Sequence, residues 1–464
     1  MADRHAIVVL DVGKSNAKLA LVDTETRAQV SVRTTPNVVV RGGPYPHFDV
    51  ERLFAWVVDG LRDFAREATI GAISTTTHGA SAALLAGDDL ALPVLDYEHD
   101  GPESIRVDYD RERGAFAETL SPNLPNGLNL GRQITWQARA FPEAFARVDA
   151  ILPLPQYWAW RLGGSRATEV TSLGCHTDLW NPTAGTWSGL AARKGWTRLF
   201  PPLANAWDTL GVLRPEIAAA CGIGNPCRVV AGIHDSNASL LPHLIARRPP
   251  FSVVSTGTWM ITLAVGGSVD RLDAARDCLA NVDALGRPVP SSRAMAGREF
   301  ELLTAGVEGD SSSEDVARVV ADQIMVLPSF APGTGPFPKR EAAWTVDPRT
   351  LPPGVRITAA SLYCALLAET CHRLAGADGP ILVEGPFARN QVFLGALATL
   401  VSAPVIAEPD ATGTTSGAAL LAFGPDVRIV TADPPPIEPL AIDLAGYAAQ
   451  WRGRAEGQAF AGKE

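Results

Sequence analysis

At 464 residues the chain exceeds what one ordinary hydrophobic core organises, which points to two large domains or three small ones. Apolar residues at 46% and charged residues at 19% exclude general disorder, and a net charge of −10 argues against nucleic acid or an anionic membrane as partner. No apolar run approaches the roughly 18 residues of a membrane span, and the first residues lack a secretory layout, so the expected compartment is the cytoplasm.

The first elements in chain order read as a β-hairpin. Ile7 to Leu10 is apolar, a polar glycine-containing turn follows, and Ala17 to Val22 is apolar again. Residues 47–68 predict a helix: Asp49 suits the N-cap, Phe48 can staple onto Leu53, and Leu53, Phe54, Val57, Leu61 and Phe64 share one face. Ile70 to Thr77 predicts a strand ending at His78-Gly79. This order of strands and helices is an α/β pattern.

A helix-like run over 235–241 is followed by Pro242, Pro249 and Pro250, which suggests a boundary between domains 1–245 and 246–464. Beyond it, Phe251 to Ser255, a Thr256-Gly257-Thr258 turn and Met260 to Val265 repeat the opening strand–turn–strand unit. Two related domains with a ligand cleft between them would explain that echo. The later half predicts helices over 359–374 and 391–401, strands over 380–383 and 404–407, and a helix starting near Gly417. The Pro/Gly-rich run 327–338 reads as a surface loop or lid edge, and the tail beyond about 430 as Pro-rich, then helical or loose. Six cysteines without C-x-x-C or zinc spacing read as buried reduced thiols, with a regulatory thiol as the alternative.

Five segments could carry chemistry. Asp11-Val12-Gly13-Lys14-Ser15-Asn16-Ala17-Lys18 offers backbone N–H groups, hydroxyl and amide donors and two of the chain's scarce lysines, as a polyphosphate requires, with Asp11 placed to hold Mg²⁺. It is not a Walker A loop, because that motif needs glycine where Val8 stands. Gly232-Ile233-His234-Asp235 precedes a helix start, where Asp235 could serve as an N-cap or as the acceptor of a hydroxyl proton. Ser255 to Trp259 could face phosphates, Glu384 to Asn390 could approach a flat base, and Thr412 to Ala419 has the small residues of tight helix packing. Each has a plain structural reading on its own: a solvated turn, a helix cap, a packing site.

Their order and spacing together resemble the FGGY family of carbohydrate kinases, within the actin–hexokinase–heat-shock ATPase superfamily, over residues 6 to 424. The resemblance implies an α/β fold of two ribonuclease-H-like domains with an interdomain cleft, the N-terminal one binding sugar and phosphate and the C-terminal one nucleotide. It implies ATP and Mg²⁺ as cofactors and a small sugar as partner; a homodimer is one assembly it allows. Asp235 is expected as catalytic base and, with Asp11, as metal ligand. Gly13, Lys14, Ser15, Asn16, Lys18, Thr256, Gly257, Thr258, Gly385 and Asn390 are expected at ATP, with its phosphates between the 13–18 and 256–258 turns. His78, Gly79, Tyr97, Gln133, His234 and Asp235 are expected at the sugar; His99 is expected in solvent, and the aromatic stretch 156–160 in the core.

Two departures from the family pattern stand out. The adenosine region usually has consecutive glycines, whereas here Gly385 is followed by Pro386 and Phe387. Where many members carry Trp-x-Asp-x-Arg, this chain has Tyr97-Glu98-His99-Asp100-Gly101, which argues against glycerol and D-xylulose. Ser255 to Trp259 and Asn129 to Trp136 are similar to segments of the rhamnulose and fuculose kinases, so a 6-deoxyketohexose leads the expected substrates, ahead of a pentulose or polyol. A sensing member that has lost catalysis is disfavoured by the retained Asp11 and Asp235, and a Ser-His-Asp hydrolase by the missing G-x-S-x-G elbow.

Overall fold

The computed structural model describes residues 4–409, 413–429 and 434–457, and is mixed α/β. Thr412 and Lys463 lie outside the described residues. The chain forms two compact units. The first comprises Met1–Arg247, Asn281–Pro288 and Thr412–Val430, and the second Arg248–Ala280, Val289–Ala411 and Thr431–Glu464.

In the first unit, His5–Val12 and Asn16–Asp23 pair antiparallel around a tight turn closed by Gly13 N–H to Asn16 O at 2.9 Å. His5–Val12 also pairs in parallel with Thr69–Thr77, and Asn16–Asp23 pairs antiparallel with Gln29–Pro36. The central strands are buried on both faces, which is why they read as nearly continuous apolar runs. The helix Val50–Phe64 packs its apolar face on this sheet and starts at Asp49, whose carboxylate accepts the Arg52 N–H at 3.1 Å.

The second unit repeats the plan. Phe251–Thr256 pairs antiparallel with Met260–Val265 and in parallel with Ile381–Glu384, which pairs in parallel with Val405–Glu408. Pro288–Ala294 extends the antiparallel side, as Gln29–Pro36 does in the first unit. The echo of strand, turn and strand is thus an echo of sheet topology. The helix Pro353–Leu374 is buried over most of its length and starts six residues before its predicted beginning, because Pro353 and Gly354 fit its first turn.

The first break between the units follows Arg247, inside the proline-punctuated stretch 242–250; Pro242 itself lies inside the helix Asp235–Ala246. It costs the helix one backbone bond, leaving the Ala238 carbonyl without its usual donor four residues on. The run 327–338 is not simply a surface loop: Ser329 and Phe337 are buried. Glu299 accepts the Ala331 N–H at 3.1 Å, Asp277 accepts the Gly335 N–H at 3.0 Å, and the Phe337 ring meets Trp451 edge-on. The tail supplies that Trp451 from the helix Ala445–Ala455, fully buried, with its indole N–H on Val326 O at 2.7 Å. All six cysteines are free and buried. Tyr157, Trp158 and Trp160 are core residues as expected.

Candidate active site

Strand ends and one helix start converge in the first unit. Asp235 is the first residue of its helix, following the short strand Ile233–His234, which pairs in parallel with the end of Thr69–Thr77. Gly232 makes that approach feasible: at φ +84° a Cβ would meet the Thr75 carbonyl at 2.4 Å. Asp235 Oδ1 accepts the Ser236 N–H at 2.7 Å and lies 3.1 Å from His234 Nε2. Burial pushes the Asp235 carboxyl up, but the protonated His234 and the Ser236 N–H more than offset it and hold it below the ordinary range.

His234 is buried and held on all sides. Its Nε2 is 3.7 Å from Cys175 Sγ, its Nδ1 is 3.3 Å from the Asn237 amide, and its N–H donates to Thr171 Oγ1 at 3.1 Å. Burial disfavours its charge, yet Cys175 and Asp235 keep the imidazole protonated well above its usual range. Gly79 is the space for this ring. A Cβ there would stand 2.9 Å from Nε2 and 3.4 Å from the Cys175 sulfur. Gly79→Ala is therefore expected to tilt His234 and reduce kcat at least tenfold while changing the thermal midpoint little, since the obstructed atoms belong to side chains. Parallel kinetics and melting of the variant check this.

Behind Thr171 lies Glu169, fully buried, accepting the Thr171 hydroxyl at 2.5 Å and the Thr171 N–H at 3.0 Å. Burial pushes its carboxyl up to about 7, from an ordinary 4.5, against these bonds. Between those pH values the folded chain keeps a proton that the unfolded chain releases, so stability falls as pH rises, by as much as about 3 kcal/mol. Glu169→Gln should flatten that slope, measurable as denaturant midpoints at pH 5 and pH 8.

Asp11 faces the same corner. It sits opposite Lys18 across the hairpin, with Lys18 Nζ 3.3 Å from Oδ2. Burial raises its carboxyl, Lys18 lowers it, and the charge of Asp235 raises it again, so the two carboxylates share one field. Two hard oxygen donors in mutual repulsion fit a divalent cation such as Mg²⁺, which prefers carboxylate oxygen and would relieve that repulsion. Ser15 and Asn16 are exposed at the turn, and Gly13 is half-buried there.

Lys14 goes elsewhere. Its ammonium pairs with Asp96, lies 3.3 Å from Glu98 Oε2, and stands 5.1 Å from the ring centres of both Phe48 and Tyr97. Those rings also flank His78, at 5.1 and 5.4 Å. His78 Nδ1 bonds Gly79 O at 2.9 Å, while its buried Nε2 has no hydrogen-bond partner among the described residues. Burial keeps this imidazole neutral, so Nε2 is an unspent acceptor. Gln133 is buried, and its amide nitrogen is committed to the carbonyls of Ala80 and Gly127; it fixes the loops beside His78 and Tyr97. His99 is not in solvent: it stacks near Tyr45 and meets Trp136 edge-on, because those rings leave an apolar shelf.

In the second unit, the turn Thr256 to Trp259 is closed by Gly257 N–H to Trp259 O at 2.8 Å, and Gly257 and Thr258 are exposed. The Thr256 hydroxyl donates to Glu384 O and accepts the Phe387 N–H at 3.2 Å, so it braces the 384–387 turn. Gly385, at φ +78°, passes so close that a Cβ would lie 2.0 Å from the Thr256 carbonyl. Asn390 caps the helix Gln391–Leu400, accepting the Phe393 N–H at 3.0 Å and donating to Ser361 at 2.9 Å. Asn390, with Pro386 and Phe387 of that turn, lines a cavity of about 420 Å³ walled by Phe300 and Ile357, with Asp310 and Ser311 among its polar residues. Apolar faces with a few polar groups suit a flat heterocycle.

Comparison with known proteins agrees with this arrangement. Residues 6–242 match the N-terminal domain of the FGGY family of carbohydrate kinases, and residues 248–430 match the carbohydrate kinase FGGY C-terminal domain. The chain belongs to the FGGY family of carbohydrate kinases, with its two-domain actin/hexokinase-like fold. A carbohydrate kinase from Novosphingobium aromaticivorans has a solved structure that is 37% identical, with a TM-score of 0.89 over 98% of this chain and 99% of that one. The L-fuculokinase of Escherichia coli K12 is 24% identical over 282 residues, 58% of each chain. The rhamnulokinase of Enterobacter sp. strain 638 is 24% identical over 278 residues, 56% of this chain and 54% of its own. The chain thus spans less than two thirds of the length of these curated relatives. Among the described residues no helix is long and apolar enough to cross a membrane.

Proposed function

We propose that the chain is an ATP-dependent kinase of a small, uncharged ketose, with Asp235 as the base. The observation that carries this reading is the position of Asp235, an ionised carboxylate at a helix start beside His78 and close enough to Asp11 to feel its charge. The N-terminal unit would hold the sugar and the reacting phosphate, through Gly13, Ser15, Asn16 and Lys18 and the acceptor at His78. The C-terminal unit would hold adenosine in the cavity beside Gly385 and Phe387, with Asn390 shaping its wall and Thr258, at the exposed Gly257 turn, offering N–H and hydroxyl donors.

Asp235 Oδ1 is occupied by Ser236 and His234, which leaves Oδ2 to take the proton of the attacking hydroxyl. Phosphoryl transfer asks little of a base beyond orientation, and a carboxylate pinned at one oxygen supplies that. Lys18 and the turn N–H groups would balance charge on the transferring oxygens. Mg²⁺, held by Asp11 and by Asp235 through a water of its shell, would neutralise charge on the phosphates when bound.

For the sugar itself, the L-fuculokinase and rhamnulokinase relatives and the Phe48 and Tyr97 rings favour a 6-deoxyketohexose, since an aromatic wall suits a methyl-bearing carbon. A cytoplasmic enzyme fits such a substrate. The test is coupled ADP release with Mg-ATP against L-rhamnulose, L-fuculose, the ribuloses, the xyluloses, erythritol and glycerol. A single ketose raising turnover well above background is the expected result. No turnover on any of them would overturn the ketose assignment, and no binding of ATP would overturn the kinase.

A further inference from the structure

We propose that Lys14 reads the sugar and not the nucleotide, as a specificity residue that donates one N–H to an oxygen of an uncharged substrate. This rests on the kinase reading above. Lys14 leaves the tip of the phosphate-side hairpin but turns its side chain toward the His78 face. There its ammonium meets Asp96 and Glu98 and lies between the Phe48 and Tyr97 rings.

An ammonium has three N–H donors. Asp96 accepts one and Glu98 forms an ion pair at 3.3 Å, and among the described residues no other acceptor takes the N–H that remains. Asp96 is itself buried and its Oδ1 also accepts the Glu98 N–H at 3.1 Å, so the lysine is fixed from its acidic side. The same two rings frame the buried, unpartnered Nε2 of His78. A cationic donor and a neutral acceptor within one aromatic frame complement a carbonyl or hydroxyl oxygen next to a hydroxyl, the pairing that a ketose presents.

Charge then selects among sugars. Asp11, Asp96, Glu98 and Asp235 outnumber the cations Lys14, Lys18 and His234 around this corner, so a sugar acid meets net repulsion. Lys14 has no surplus charge to offer a carboxylate, because two anions already hold it.

Lys14→Met is the test, with Lys14→Met combined with Asp96→Asn as the second variant, which avoids stranding a buried carboxylate. The probe is L-rhamnulose, or whichever panel ketose the wild type turns over fastest. Loss of one charged hydrogen bond is expected to raise KM for the ketose about 10- to 100-fold, with KM for ATP unchanged. The wild type should also prefer the ketose to the corresponding sugar acid. A raised KM for ATP with an unchanged KM for the ketose would overturn the inference in favour of a phosphate contact. Both constants unchanged in the double variant would overturn it in favour of a purely structural strut. If the wild type turns over no panel sugar, the ketose assignment fails by itself; calorimetric titration of L-rhamnulose then decides Lys14, with equal affinities in wild type and variant counting against it.

Discussion

Asp235→Asn is expected to lower sugar-dependent turnover by about 10²- to 10⁴-fold while leaving ATP affinity near that of the wild type. Asparagine keeps an acceptor oxygen for the Ser236 N–H and the His234 ring, so the helix start should survive. What it removes is the charge and the free oxygen that takes the proton. Because His234 and the Ser236 N–H hold Asp235 ionised against burial, the acid limb of kcat/KM set by this group should lie below the ordinary aspartate value of 3.8. Turnover should therefore show no loss from Asp235 protonation at pH 5 or above. Coupled ADP release and nucleotide titration on the same preparation measure both quantities. Retention of more than about a tenth of the wild-type rate would remove Asp235 from the role of base.

The sequence made legible what depends on short-range pattern. The two hairpin turns, the helix start at Asp235 and the sheet strands follow from apolar runs broken by glycine and polar residues, and each appears within a few positions of its expected place. Side-chain direction was less visible. Lys14 and Lys18 stand four residues apart on one hairpin, yet one pairs with Asp11 and the other crosses to Asp96, a choice set by a distant loop. Thr256 and Asn390 carry suitable hydrogen-bonding groups, but local backbone claims them first. Cys175, Asn237 and Thr171, which fix His234, belong to no motif; only their convergence in space marks them. Asp96 precedes Tyr97 yet carries no signal in the sequence, because a lone aspartate beside a loop is ordinarily solvated.

Chain order also concealed how the first unit is completed. A linear reading places everything after the middle of the chain in a second domain, whereas Asn281–Pro288 and Thr412–Val430 belong to the first. The reason is local to two helices. Pro242 frees the Ala238 carbonyl, and the small residues of Gly413–Leu421 allow that helix to press directly on it. Thr415 then stands near Asp11, its buried hydroxyl without a hydrogen-bond partner among the described residues, and the Thr414 hydroxyl lies 3.1 Å from that of Ser239. Packing of a late helix thus shapes the surroundings of the first hairpin.

Gly417→Ala tests that packing most severely. In an exposed helix the change would stabilise, since alanine is favoured over glycine by about 1 kcal/mol. Here a Cβ would lie 1.7 Å from the Ala238 carbonyl oxygen, and the obstruction is backbone, which no rotamer change relieves. The sign should reverse: the helices must separate, at a cost of about 3 kcal/mol and a fall of about 10 °C in Tm. Gly446→Ala, early in the helix Ala445–Ala455 with nothing within 4 Å of the added carbon, should instead raise stability by a few tenths to about 1 kcal/mol. Denaturation of both variants by heat and urea distinguishes the cases. A Gly417→Ala protein as stable as the wild type would mean that Gly413–Leu421 does not pack closely on Asp235–Ala246. Because that contact carries Thr415 toward Asp11, its loss should also weaken turnover, in proportion to the separation of the helices and not to global unfolding.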